Sequence, residues 1–120
     1  MVTAYIETKK REDFPEFKDL FDLVESFMGY LPNAYLLMAD KPDLMQAFAK
    51  MSASVFSADV LDIPSKQLIA LASSLSAGCK YCQSHTSHGA ERAGVANEKI
   101  AEILNYQTSE YYEAKEVALL

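Results

Sequence analysis

From Pro15 onward the apolar residues return every three or four positions, the period of a helix with one face turned inward. Phe17, Leu20, Phe21, Val24, Phe27 and Met28 form the first such stripe, and Gly29 follows where a helix ends. Pro15 suits a first helical turn. A short helix is predicted over 33–38. After Asp40, a helix opening at Lys41-Pro42 carries Leu44, Ala47, Phe48, Met51 and Val55 on one side. Asp62 and Pro64 open the next, with Leu68, Ile69, Ala72 and Leu75 facing inward. Gly78 marks a break, and a helix runs from Cys79 or Lys80 to Ala93, closed by Gly94. Asn97 reads as the cap of a helix carrying Ile100, Ile103 and Leu104, and Ser109 as the cap of a last one reaching Leu120. No stretch alternates long enough for a strand. The pattern therefore predicts an all-α fold of six to seven helices. An irregular N-terminal arm over 1–14, with a small apolar patch at 2–6, precedes one helical domain over 15–120. Three of the four glycines fall at helix ends, and Gly89 alone interrupts a helical stretch. The apolar Val117-Ala118-Leu119-Leu120 end has no stop signal. It fits either packing against another subunit or a native chain that continues past Leu120.

Composition narrows the function. The 120 residues carry a net charge of −6 and no basic run, which excludes nucleic acid as an expected partner and disfavours anionic membranes. No apolar stretch has the length of a signal peptide or a membrane span. The expectation is a cytoplasmic protein. There are two cysteines, too few and too close for a secreted disulfide scaffold.

Those cysteines carry the candidate chemistry. Cys79 and Cys82 are three apart, so a helix places both sulfurs near one face, within reach of one disulfide if the first turn relaxes. Following Gly78, they fall at a helix N-terminus, where free N–H groups and the helix dipole favour a thiolate. His85 lies one turn on and on the same side, able to accept the thiol proton or pair with the thiolate. A thiolate attacks a peroxide or disulfide, and the second thiol resolves the product. An inert pair is the bland alternative. Zinc is another: Cys79, Cys82, His85 and His88 look like four ligands, but along a helix the series spans roughly 13 Å, too far for one tetrahedral ion. No metal or cofactor is expected. Covalent haem needs His directly after the second cysteine, where Gln83 stands. Tyr81 reads as a packing residue, His88 as a surface or interface histidine, and the Phe17, Phe21, Phe27 stripe as core. Glu110, Glu113 and Glu116 read as a solvated helix face.

The run from Asp62-Ile63-Pro64-Ser65-Lys66-Gln67 through Ser76-Ala77-Gly78 into Cys79-Lys80-Tyr81-Cys82-Gln83-Ser84-His85, then Ala93-Gly94-Val95 and Glu98-Lys99-Ile100, resembles the carboxymuconolactone decarboxylase family. The likeness is to its alkylhydroperoxidase D-like branch, and Leu31-Pro32-Asn33 and Lys41-Pro42-Asp43-Leu44 fit the peroxidase-related members. The resemblance implies an all-α fold assembled as a homo-oligomer, a trimer, hexamer or dimer, and a redox-active cysteine pair. It implies that Cys82 attacks the peroxide and Cys79 resolves it. The branch uses a Glu twelve residues before the first cysteine and a His four after the second. Here those places hold Gln67, which cannot take a proton, and Thr86, with the histidine shifted to His85.

The sequence reading is thus a thiol-dependent peroxidase: Cys82 the nucleophile, Cys79 the resolving thiol, His85 the base. Gln67, Tyr81 and His88 are supporting candidates. The substrate is a hydroperoxide and the electron source a dithiol or protein reductant. Gln67 points to a differently tuned enzyme, a partner-specific disulfide reductase, or a non-enzymatic redox sensor. Lactone decarboxylation, which needs no cysteine pair, ranks below these.

Overall fold

The computed structural model of the chain describes residues 5–7 and 9–120. Positions 1–4 and 8 of the expected arm, and with them most of its apolar patch, lie outside the described residues. Among the described residues there are seven α-helices and no strand. The fold is all-α, as the periodicity requires. The chain forms two compact units, 1–55 and 56–120.

The first unit is built on the stripe that begins at Phe17. Pro15–Phe17 is a 3-10 turn rather than the start of the α-helix, and α1 runs Lys18–Met28. Gly29 ends it in the left-handed region at φ 85°, where a Cβ is strained. Phe21 is fully buried and Val24 nearly so, but Phe27, expected in the core, is 56% exposed. It falls one residue too far round the helix. The end of the arm folds as well: Arg11–Asp13 is a 3-10 turn, Phe14 is buried, and Arg11 donates to Asp22 at 3.0 Å and Glu25 at 2.9 Å on α1.

Helix α2 spans Asn33–Met38 and α3 Pro42–Val55. The apolar side of α3 is not its buried face. Met45 is the residue fully buried, and Phe48 meets the Tyr35 ring edge-on at 5.7 Å, whereas Leu44, Met51 and Val55 are exposed. Spacing identifies an apolar stripe but does not say what covers it.

The second unit starts with α4, Ile63–Ser76, capped by Asp62 Oδ1, which accepts the Ser65 N–H at 2.8 Å. Helix α5, Lys80–Arg92, follows after three residues, making an αα-hairpin. Leu68 and Leu71 of α4 pack with Ile103 and Tyr112 from beyond α5. The later elements differ from expectation in their caps. Helix α6 is Asn97–Ala101 with Ala96, not Asn97, in the capping position, and the chain then tightens into a 3-10 turn at Ile103–Asn105 that leaves Leu104 exposed. Helix α7, Ala114–Leu119, starts at Glu113, not Ser109, whose hydroxyl instead accepts the Tyr111 N–H. Glu116 is not a solvated residue: it pairs with Lys99 and accepts the Glu113 N–H at 2.8 Å. Tyr112 donates to the Lys99 carbonyl at 2.6 Å, so one lysine ties α6 to both α7 and the chain before it.

Candidate functional site

The hairpin turn positions the cysteines. After the last turn of α4, Gly78 takes the left-handed conformation at φ 67°, and its N–H donates to the Leu75 carbonyl at 3.1 Å. The Cys79 N–H donates to the Ser74 carbonyl at 3.1 Å. This is the Schellman arrangement, with glycine in the one place that demands a positive φ. Cys79 is therefore the closing residue of α4 and, at the same time, the N-cap of α5. Its Sγ occupies the position of a capping oxygen and accepts the Cys82 N–H at 3.3 Å. Gln83 adds a second bond to the Ser74 carbonyl, from Nε2 at 3.2 Å, and locks α5 against the end of α4.

Cys79 and Cys82 are joined as a disulfide, with Cα atoms 5.3 Å apart. The sequence reading placed this pair at a helix N-terminus, and there it lies. His85 is partly buried one turn on, its ring edge-on to that of Tyr81 with centroids 4.2 Å apart. Burial, and then the nearby charge of His88, push the His85 pKa below its ordinary 6.5, so the imidazole is neutral at pH 7. Tyr81 is 52% exposed and packs on His85 rather than in the core. His88 is also partly exposed, with Nδ1 4.0 Å from Glu91 Oε2. Thr86, standing where the family's redox branch has histidine, donates its hydroxyl to the Cys82 carbonyl at 2.8 Å and so caps its own helix backbone.

Gln67 is held by close packing. A Cβ at Gly89 would lie 2.7 Å from Gln67 Cδ and 2.9 Å from Nε2, and closer still to Oε1. Gly89 is thus the gap in α5 that receives the Gln67 carboxamide, one turn beyond His85 on the same helix. The sequence signal for this contact was the single glycine inside a helical stretch. Ser74, buried and bonded to the Ala70 carbonyl at 2.6 Å, had no sequence signal, because its work is done by its backbone carbonyl. An open cleft of about 390 Å³ in this unit lies along Lys80, Gln83, Ser84 and Ser87, the other side of α5 from His85, and does not include the cysteines. Among the described residues no three His, Cys, Asp or Glu side chains gather as metal ligands. No described helix is long and apolar enough to cross a membrane.

The signature of the carboxymuconolactone decarboxylase family matches residues 42–120, from the start of α3 through the whole of the hairpin. The chain belongs to that family. Two solved structures of the debrominase Bmp8 are similar to nearly all of this family member. One, a cysteine-to-alanine variant in complex with 2,3,4-tribromopyrrole, is 33% identical over 98% of this chain with a TM-score of 0.87. The ligand-free form is 34% identical over 97%, with a TM-score of 0.85. This chain spans 63% and 62% of their respective lengths. The alkylhydroperoxidase AhpD core from Rhodospirillum rubrum shares the fold at 24% identity, with a TM-score of 0.75 over 87% of this chain and 81% of its own. Comparison with curated proteins finds no match.

Proposed function

We propose that the Cys79–Cys82 pair is a two-electron reducing centre that converts hydroperoxides to alcohols with electrons from an external dithiol. The observation that carries this reading is the pair joined across the first turn of a helix, with one sulfur in the N-cap position. That sulfur is Cys79's; first-turn N–H groups and the helix dipole stabilise it as a thiolate and so as a leaving group in exchange, while the attacking role of Cys82 follows the resemblance to the alkylhydroperoxidase D-like branch. In the reduced protein the Cys82 thiolate attacks the terminal peroxide oxygen. The O–O bond breaks, the alkoxide leaves and takes a proton, and Cys82 becomes a sulfenic acid. Cys79 attacks that sulfur, water leaves, and the disulfide forms. A dithiol, small or carried on a protein, then reduces the pair by exchange. Neutral His85 accepts the thiol proton, and Gln67 has a packing rather than a proton-transfer part. The chemistry fits a reducing compartment such as the cytoplasm. The exposed Leu44, Met51 and Val55 on α3 suit contact between copies in a homo-oligomer.

A second reading has a specific support: the debrominase structures are the ones at 33–34% identity. The same dithiol can attack bromine on an electron-rich ring. The C–Br bond breaks, carbon keeps the electron pair and takes a proton, and Cys79 displaces bromide from Cys82. Both readings consume two thiols per substrate.

Turnover with dithiothreitol distinguishes them. Wild type and Cys82→Ser are each given cumene hydroperoxide or a polybrominated pyrrole, and alcohol and bromide are measured. The first reading predicts alcohol formation that Cys82→Ser abolishes. Bromide release without alcohol would replace it with the second. Neither product, from a protein whose disulfide is readily reduced, would leave a disulfide reductase or sensor.

A further inference from the structure

Tyr81 belongs to neither buried core; it stands between the two cysteines in sequence and leaves about half its surface to solvent. Its ring is not loose. At the i, i+4 spacing it leans on His85 with an interplanar angle of 62° and a centroid distance of 4.2 Å. At 100° per residue Tyr81 and His85 form one stripe of α5, and Cys82 follows on the His85 side of that stripe. A braced, edge-to-face aromatic pair therefore adjoins the residue assigned as nucleophile, His85 nearest to it and Tyr81 next. Because the His85 ring is uncharged at pH 7, the stripe presents aromatic surface without an ammonium-like centre. Hydrogen peroxide has nothing to place against such a surface, whereas a substrate with a ring can stack on it.

We propose that Tyr81, braced by His85, is a specificity-determining wall that favours hydroperoxides bearing an aromatic group over small ones. The proposal rests on the reading of the cysteine pair as a reducing centre. The reaction is the one already balanced: an arylalkyl hydroperoxide and two thiols give the alcohol, water and the disulfide, which dithiothreitol reduces.

The test compares kcat/KM for cumene hydroperoxide with that for hydrogen peroxide in wild type, Tyr81→Phe and Tyr81→Ala. The ratio falls roughly three- to tenfold in Tyr81→Ala, the size of one aromatic contact, and holds in Tyr81→Phe. An unchanged ratio in Tyr81→Ala overturns the wall, and so does an equal fall in Tyr81→Phe, which would assign the effect to the hydroxyl. A second measurement is independent of turnover. Oxidised protein is titrated with cumyl alcohol and followed by amide NMR, with shifts expected at Tyr81 and His85 that Tyr81→Ala removes. No shifts at these positions overturn the proposal. If neither peroxide is reduced but the shifts appear, the reducing function fails and the aromatic wall stands.

Discussion

At Gly89 a missing side chain makes room for another residue's carboxamide. Putting a methyl group there drives it into the Gln67 carboxamide, the end of a flexible side chain that can swing out of the gap. Gly89→Ala is expected to change stability by less than about 1 kcal/mol, displacement of the Gln67 carboxamide offsetting the gain in helix propensity of about 1 kcal/mol. In a Gln67→Ala background the same substitution should be stabilising, because the helix-propensity gain is then unopposed. Urea unfolding of the two single variants and the double variant measures the coupling, and simple additivity would mean that Gln67 does not occupy the gap. His85 provides a pH test at the same scale. Its folded pKa is lowered, by burial first and then by His88, so as pH falls through 6.5 the unfolded chain takes up the proton before the folded one does. The folded state therefore loses stability from His85 as pH drops below 6.5 and has none of that loss above it. His85→Gln should flatten the stability profile of the oxidised protein between pH 7.5 and 5. Parallel profiles for wild type and variant would contradict the assigned shift. In turnover, the acid limb should lie below 6.5, because the base stays neutral down to its lowered pKa.

Among the elements, the hairpin from α4 to α5 does the positioning. Its turn needs a residue at φ 67°, and Gly78 supplies it with no atom within 4 Å of a would-be Cβ, so the obstacle to substitution is conformation alone. Gly78→Ala should cost about 1–2 kcal/mol and Gly78→Asn less, as Asn tolerates the left-handed region. Thermal unfolding of the pair compares them, and equal losses would point to a packing role instead. This hairpin was the most legible part of the sequence. Asp62 with Pro64 announced the start of α4, Gly78 its end and Gly94 the end of α5, because capping chemistry is local and written in single residues. The cysteines and His85 could be put on one helix for the same reason. Less was legible where tertiary packing decides. The apolar spacing of α3 was clear, but Met45 rather than Leu44 is buried, since either can face a core depending on what packs there. Asn97 and Ser109 have the right side chains for capping, yet the backbone turns one residue earlier at Ala96 and four later at Glu113. The Lys99–Glu116 pair joins residues 17 apart in sequence, and no local pattern marks such a contact.

For the molecule as a whole, the half-buried Cys79–Cys82 pair and the braced Tyr81–His85 stripe sit on one hairpin of the C-terminal unit, and the reading proposed for the pair is a two-electron exchange. The family assignment sets the scaffold, and similarity to both a debrominase and an alkylhydroperoxidase core shows how far chemistry on that scaffold can differ. What the two readings proposed for this chain share is the consumption of two thiols, and that is the quantity to measure. Reduced protein, freed of dithiol and kept anaerobic, is mixed with one equivalent of cumene hydroperoxide, and free thiols and cumyl alcohol are counted as the reaction runs. The account predicts loss of two thiols per alcohol formed, with a Cys79–Cys82 disulfide found by peptide mass mapping, and in Cys79→Ser a sulfenic acid held at Cys82. Thiols that survive the peroxide, or alcohol formed without their loss, would contradict it.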